Sequence, residues 1–194
     1  MIRSFIAFDL ENKESLQNIQ NFQDRLKQNQ SRLKPIKPEN IHITVKFLGD
    51  IKESIIPQIY QILEKEINEK ILRKEEYTYK IKHVGNFRNY GIIWVGLEGN
   101  IELMQSIKDT VEEKLNDRLN IKKDNRRNFK PHITIARLKK KRRDYSTFES
   151  FKNIFKENRN KEFGEFNIHK IVLKKSDLTP KGPIYSTYNG EEFI

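Results

Sequence analysis

Cysteine is absent from the 194 residues, which removes a disulfide framework, a thiolate metal site and a cysteine nucleophile together. Glycine is sparse at 8 residues, and no Gly-x-Gly-x-x-Gly fingerprint is present. Proline numbers only 6, and no stretch rich in Pro, Gly or Ser divides the chain, so residues 1–194 read as one domain. Long apolar runs are missing too: nothing approaches the roughly 20 residues of a membrane span. The apolar residues 1–10 meet Glu11 and Lys13 without a small-residue cleavage site, and read as a first strand instead of a signal peptide. The expectation is a soluble, cytoplasmic protein with no membrane partner.

What the chain has in quantity is charge. Lys and Arg number 38 against 27 Asp and Glu, a formal net charge of +11, so an anionic partner is expected. The 12 Phe and 7 Tyr supply enough large apolar surface for a folded core.

Residues 4–10, 41–48, 77–84, 92–97, 133–138, 165–173 and 184–188 have strand character, the third and fourth forming a hairpin across residues 85–91. Helical spacing recurs between them. Leu16, Ile19, Phe22 and Leu26 follow Asn12 as a cap, and Ile56, Ile59, Leu63 and Ile67 follow with Pro57 in the first turn. Leu103, Ile107, Val111, Leu115 and Leu119 step by four after Asn100, and residues 145–158 suggest a short helix. Intermixed helices and hairpins make the class α+β.

The most informative feature is a short repeat. His42-Ile43-Thr44-Val45-Lys46-Phe47-Leu48 returns as His132-Ile133-Thr134-Ile135-Ala136-Arg137-Leu138. Random placement of 4 His and 7 Thr gives about 0.14 His-x-Thr triplets in the whole chain, so two in matching strands are not chance. Alternation along a strand sends His42 and Thr44 to one face and Ile43 and Val45 to the other, and the second copy behaves alike. If the halves are related by a pseudo-two-fold, two imidazoles and two hydroxyls line one groove. Near neutral pH one imidazole accepts a proton from water while the other donates one to a leaving oxygen. Two hydroxyls hold non-bridging phosphate oxygens. That is the outline of a phosphodiesterase site. A single His-x-Thr is more often a structural polar pair, and duplication is what reverses the odds. A zinc site lacks a third ligand at fixed spacing, so no metal and no other cofactor is expected.

These residues resemble the 2H phosphoesterase superfamily, in particular its RNA 2′,3′-cyclic phosphodiesterase branch, also called 2′-5′ RNA ligase, in the archaeal-type form. The likeness extends over nearly the whole chain. It includes Arg3-Ser4-Phe5-Ile6-Ala7, Lys37-Pro38-Glu39-Asn40-Ile41-His42, Val84-Gly85-Asn86-Phe87 with Ile93-Trp94-Val95-Gly96, and Asn128-Phe129-Lys130-Pro131-His132 running on to Arg137. It closes on residues 173–176 and on Leu178-Thr179-Pro180-Lys181-Gly182-Pro183-Ile184-Tyr185. The resemblance implies two pseudo-symmetric lobes, each a mainly antiparallel sheet backed by helices, around a central cleft. It implies hydrolysis of RNA 2′,3′-cyclic phosphate ends, tRNA fragments among them, to 2′-phosphomonoesters by a monomer. His42 is then the proton donor and His132 the proton acceptor, with Thr44 and Thr134 on the phosphate, and reverse 2′-5′ ligation is allowed. A non-catalytic module for RNA ends and a phosphodiesterase for a small cyclic-phosphate metabolite are the rival readings.

Lys46, Lys130 and Arg137 flank the motifs as candidate phosphate partners, although alternation turns Arg137 away from His132 unless the strand bulges. Phe129 and Tyr185 are candidate base-stacking residues, with burial in the core as the alternative. His83 and His169 read as ordinary sheet or surface residues. The cationic run at residues 139–143 is either a solvated loop or a dock for an RNA backbone.

Overall fold

Asparagine caps set the two long helices. The Asn12 carboxamide oxygen accepts from the Ser15 backbone N–H at 3.0 Å and opens α1 (Lys13–Asn29), which buries Ile19, Phe22 and Leu26. α2 (Ile56–Ile62) carries Pro57 in its first turn and runs on through wider, π-type turns over Leu63–Leu72. Asn100 accepts from the Leu103 N–H at 3.0 Å and opens α3 (Ile101–Leu119), and α4 spans Phe148–Glu157. The computed structural model describes residues 1–125, 128–180 and 182–189, so Lys181 of the closing segment lies outside the described residues.

The strands are β1 (Ile2–Asp9), β2 (Lys34–Pro35), β3 (His42–Ile51), β4 (Tyr77–Phe87), β5 (Ile92–Glu98), β6 (His132–Arg137), β7 (Glu162–Ile168), β8 (Val172–Thr179) and β9 (Gly182–Thr187). The expected strand at residues 165–173 is two strands parted at residues 169–171. There Asn68 takes the Ile171 N–H at 2.9 Å and donates to the Ile171 carbonyl at 3.2 Å, so the chain turns around a buried carboxamide.

All described pairings are antiparallel, in the order β7-β4-β5-β6-β3-β1-β8-β9, with β2 beside β6. The halves β7-β4-β5-β6 and β3-β1-β8-β9 are the two lobes, and between β3 and β6 the only matched residues are Ile43 and Ile133, both fully buried. The helices cross over. α1, which follows β1 of one lobe, packs on β6 and β7 of the other and on α4, while α3, which follows β5, packs on β3. One sheet face is thereby sealed by Ile6, Phe8, Ile43, Val95, Ile133 and Ile135 against the helices, and the opposite face is left as a groove.

Candidate active site

Each histidine motif is bent by a bulge at the same place. The β1–β3 register steps from Ile6–Lys46 to Ala7–Thr44, leaving Val45 unmatched. The β5–β6 register steps from Ile93–Ala136 to Trp94–Thr134, leaving Ile135 unmatched. Strict alternation therefore fails after each Thr. Phe47 and Arg137 turn outward, and Lys46 turns inward. The carbonyls at both bulges are satisfied by long polar side chains from the crossing helices. Lys108 of α3 donates to the Val45 oxygen at 3.2 Å, and Gln23 of α1 donates to the Ile135 oxygen at 2.7 Å.

The antiparallel match of Ile43 with Ile133 sets His42 across from Thr134 and Thr44 across from His132 on the groove face. Both imidazoles are oriented alike: Nδ1 of His42 lies 2.8 Å from the Asn40 carbonyl, and Nδ1 of His132 lies 2.8 Å from the Lys130 carbonyl. A carbonyl only accepts, so each Nδ1 carries the proton and donates, and in the neutral ring Nε2 keeps its lone pair. The Nε2 of His42 sits 3.0 Å from the Thr44 hydroxyl.

Aromatic rings bracket both histidines. Phe5 and Tyr185 lie 4.9 and 5.5 Å from the His42 ring, and Phe87 and Trp94 lie 5.1 and 6.2 Å from the His132 ring. Directly opposite His42 on β1 is Asp9, gripped by Lys174 at 2.6 and 2.8 Å. Burial pushes the His42 pKa below the ordinary histidine value; the Asn40 carbonyl and the Asp9 carboxylate work against that shift, and Lys174 and Arg137 reinforce it. Burial also pushes Tyr185 up, with Arg137 and Arg3 opposing. Arg137 is thus close enough to be felt at both His42 and Tyr185, because the bulge has turned it into the groove.

Lys46 is a correction. It is 2% exposed, and its ammonium lies 2.6 Å from Glu112 and 3.3 Å from Asp124, on the helix side of the sheet. A phosphate partner it is not; with Lys108 and Glu112, both buried, and Asp124 at the exposed edge, it forms a four-member ion cluster under the first bulge. Phe129 is half-buried, its N–H donating to Gln105 at 2.7 Å. With exposed Lys130 it lines a cleft of about 580 Å³ beside His132, shared with Trp94, Gly96, His83, Arg159 and Asn160. His83 is paired with Glu98 at 2.6 Å. Among the described residues no three His, Asp or Glu side chains gather into a group able to hold a metal ion.

Sequence reasoning passed over Asp9, Phe5 and Phe87, although counting back in twos from the end of the first strand places Asp9, Ala7 and Phe5 on one face.

A family model described as the AKAP7 2′5′ RNA ligase-like domain matches residues 4–191. The chain belongs to this 2H phosphoesterase family. Relatives of this 2H phosphoesterase include the RNA 2′,3′-cyclic phosphodiesterase of Methanocaldococcus jannaschii, 35% identical over 190 residues that cover 95% of this chain and 96% of the relative. The protein of the same name from Aquifex aeolicus is 32% identical over 164 residues, covering 81% and 79%. A Thermus thermophilus crystal structure matches the 2H phosphoesterase sheet and helices with a TM-score of 0.70 at 25% identity, covering 97% of this chain and 96% of that one. Escherichia coli LigT in its apo form shares the fold at a TM-score of 0.67 and 16% identity, over 97% and 95%. The two-lobed α+β architecture is that of this family. No helix among the described residues is long and apolar enough to cross a membrane.

Proposed function

We propose that the protein hydrolyses the 2′,3′-cyclic phosphate at the end of an RNA to a 2′-phosphomonoester, without a metal ion. The observation that carries the reading is the convergence of two His-Thr pairs on one groove, each imidazole oriented through Nδ1 by a backbone carbonyl. A neutral His132 takes a proton from water as its oxygen bonds to phosphorus. The P–O3′ bond breaks, and His42, as imidazolium, gives its proton to the departing O3′. Thr44 and Thr134 hold the non-bridging oxygens, and Arg137 and Lys130 offset the charge that grows on them. Tyr185 and Phe129 wall the site.

Burial favours neutral His42 in the free protein, whereas its role requires the cation. The phosphate anion reconciles the two, because a negative charge against Nε2 raises the His42 pKa when substrate binds. Attack by a 5′-hydroxyl end in place of water, with O3′ again leaving and taking the proton of His42, gives 2′-5′ ligation with the same groups.

The test is incubation with an oligoribonucleotide ending in a 2′,3′-cyclic phosphate, EDTA present, with the products resolved. Formation of the 2′-phosphate is the expected result. Product that vanishes with chelator overturns metal independence, and a 3′-phosphate reverses the assigned leaving oxygen. Tight binding without turnover replaces the enzyme by an RNA-end-binding module.

A further inference from the structure

The cationic run after the second motif is built into the fold. Gln30, at the C-terminal end of α1 and 1% exposed, donates to the Asp144 carbonyl at 2.8 Å and accepts the Asp144 N–H at 2.9 Å. Leu138 N–H donates to the Gly91 carbonyl at 3.1 Å, and the Arg143 guanidinium donates to the Asn89 carbonyl. Residues 139–143 are therefore pinned at both ends, and the short turn Lys140–Arg142 is set against the loop that follows α1. The result is a cleft of about 480 Å³ lined by Lys27, Ser31, Arg32, Leu33, Lys34 and Arg142.

Four cations from two distant stretches of chain meet there, and none of them pairs with a carboxylate among the described residues. The acid nearest in sequence to Arg142, Asp144, turns its carboxylate to the Ser146 N–H and hydroxyl at 3.0 and 2.6 Å. Gathering like charges without counter-charges costs stability, and a bound polyanion removes the cost. The cleft also continues from the catalytic groove. β2 lies directly beside β6, Lys34 facing Arg137 across the pair, and directly opposed residues project on the same side of a sheet.

We infer that Arg137, Lys34, Arg32, Lys27 and Arg142 form a track for the phosphodiester backbone of single-stranded RNA on the 5′ side of the cyclic end. The inference rests on the proposed reaction and adds where the polymer lies. The terminal nucleotide occupies the groove between His42 and His132, and the preceding phosphates cross β2 onto the cleft.

Two substrates separate the track from the chemistry: a 2′,3′-cyclic mononucleotide, and an oligoribonucleotide of about eight nucleotides with the same end. Arg32→Gln with Arg142→Gln, and independently Lys27→Gln with Arg32→Gln, are expected to raise KM for the oligonucleotide about tenfold. The log–log salt dependence of its kcat/KM is expected to flatten by about 0.7 for each lost phosphate contact. Mononucleotide hydrolysis stays at the wild-type level. Equal losses on both substrates, or none on the oligonucleotide, overturn the track. If wild type turns over neither substrate, the reaction is wrong, and fluorescence anisotropy with a labelled 3′-hydroxyl oligoribonucleotide still decides: unchanged affinity in both double variants overturns the track on its own.

Discussion

His42 and His132 share a motif but not a neighbourhood. His42 faces the Asp9–Lys174 pair across the β1–β3 ladder, whereas the residue matched with His132 on β5 is Gly96. The two imidazoles therefore lie beside different side chains, and a separate acid and base need different surroundings. His42→Ala and His132→Ala are each expected to abolish turnover of the cyclic phosphate while moving the thermal transition little; near wild-type rates in either would remove that residue from the mechanism. Asp9→Asn gives a signed test. The carboxylate raises the His42 pKa and Lys174 lowers it. Deleting the carboxylate lowers the pKa and leaves the lysine unopposed. Loss of the protonated acid sets the alkaline limb of kcat/KM, so that limb moves to lower pH in the variant. A limb that stays put or moves up contradicts the assignment of His42 as the acid.

At the scale of elements, the paired bulges decide what reaches the groove. Gln23 is 3% exposed and donates to the Ile135 carbonyl at 2.7 Å and the Ile36 carbonyl at 2.9 Å. Gln23→Leu takes the carboxamide donor from both oxygens, leaving the Ile135 oxygen the Ile36 N–H at 2.8 Å, and is expected to cost about 1–3 kcal/mol in chemical denaturation, with kcat falling more than KM changes as the bulge that aims Arg137 loosens. Lys46→Met is expected to cost about 3–5 kcal/mol, because Glu112 and Asp124 lose one of their two buried partners, with KM for the mononucleotide nearly unchanged. A raised KM without lost stability would return Lys46 to the substrate. The same elements show how far sequence reaches. The motif strands and the capped helices were legible because caps and periodicity are local. The bulges were not, since the partners that satisfy their carbonyls lie 112 and 63 residues away in the chain. Position 46 reads as polar-face by alternation, and one unmatched residue reverses it. Glu112 and Lys108, polar positions on α3, gave no hint that they are 7% and 4% exposed.

For the whole molecule, the crossed helices matter most. Each lobe is backed by a helix that grows out of the other, and β8 and β9, from the end of the chain, complete the lobe begun by β1. Neither lobe owns a complete core, so calorimetry is expected to show one transition whose calorimetric and van't Hoff enthalpies agree. Two resolved transitions would mean that the lobes are independent. The pseudo-two-fold itself has a further consequence. It carries Phe47, 70% exposed and 6.3 Å from Phe5, onto Arg137, each the third residue past its Thr and each turned outward by its bulge. That exchange of a ring for a guanidinium adds to the difference already made by Asp9 beside His42 and Gly96 beside His132, so a strand is not read alike from either end. With it, the two rims differ as the base and the phosphate of a nucleotide differ, and the groove acquires a direction.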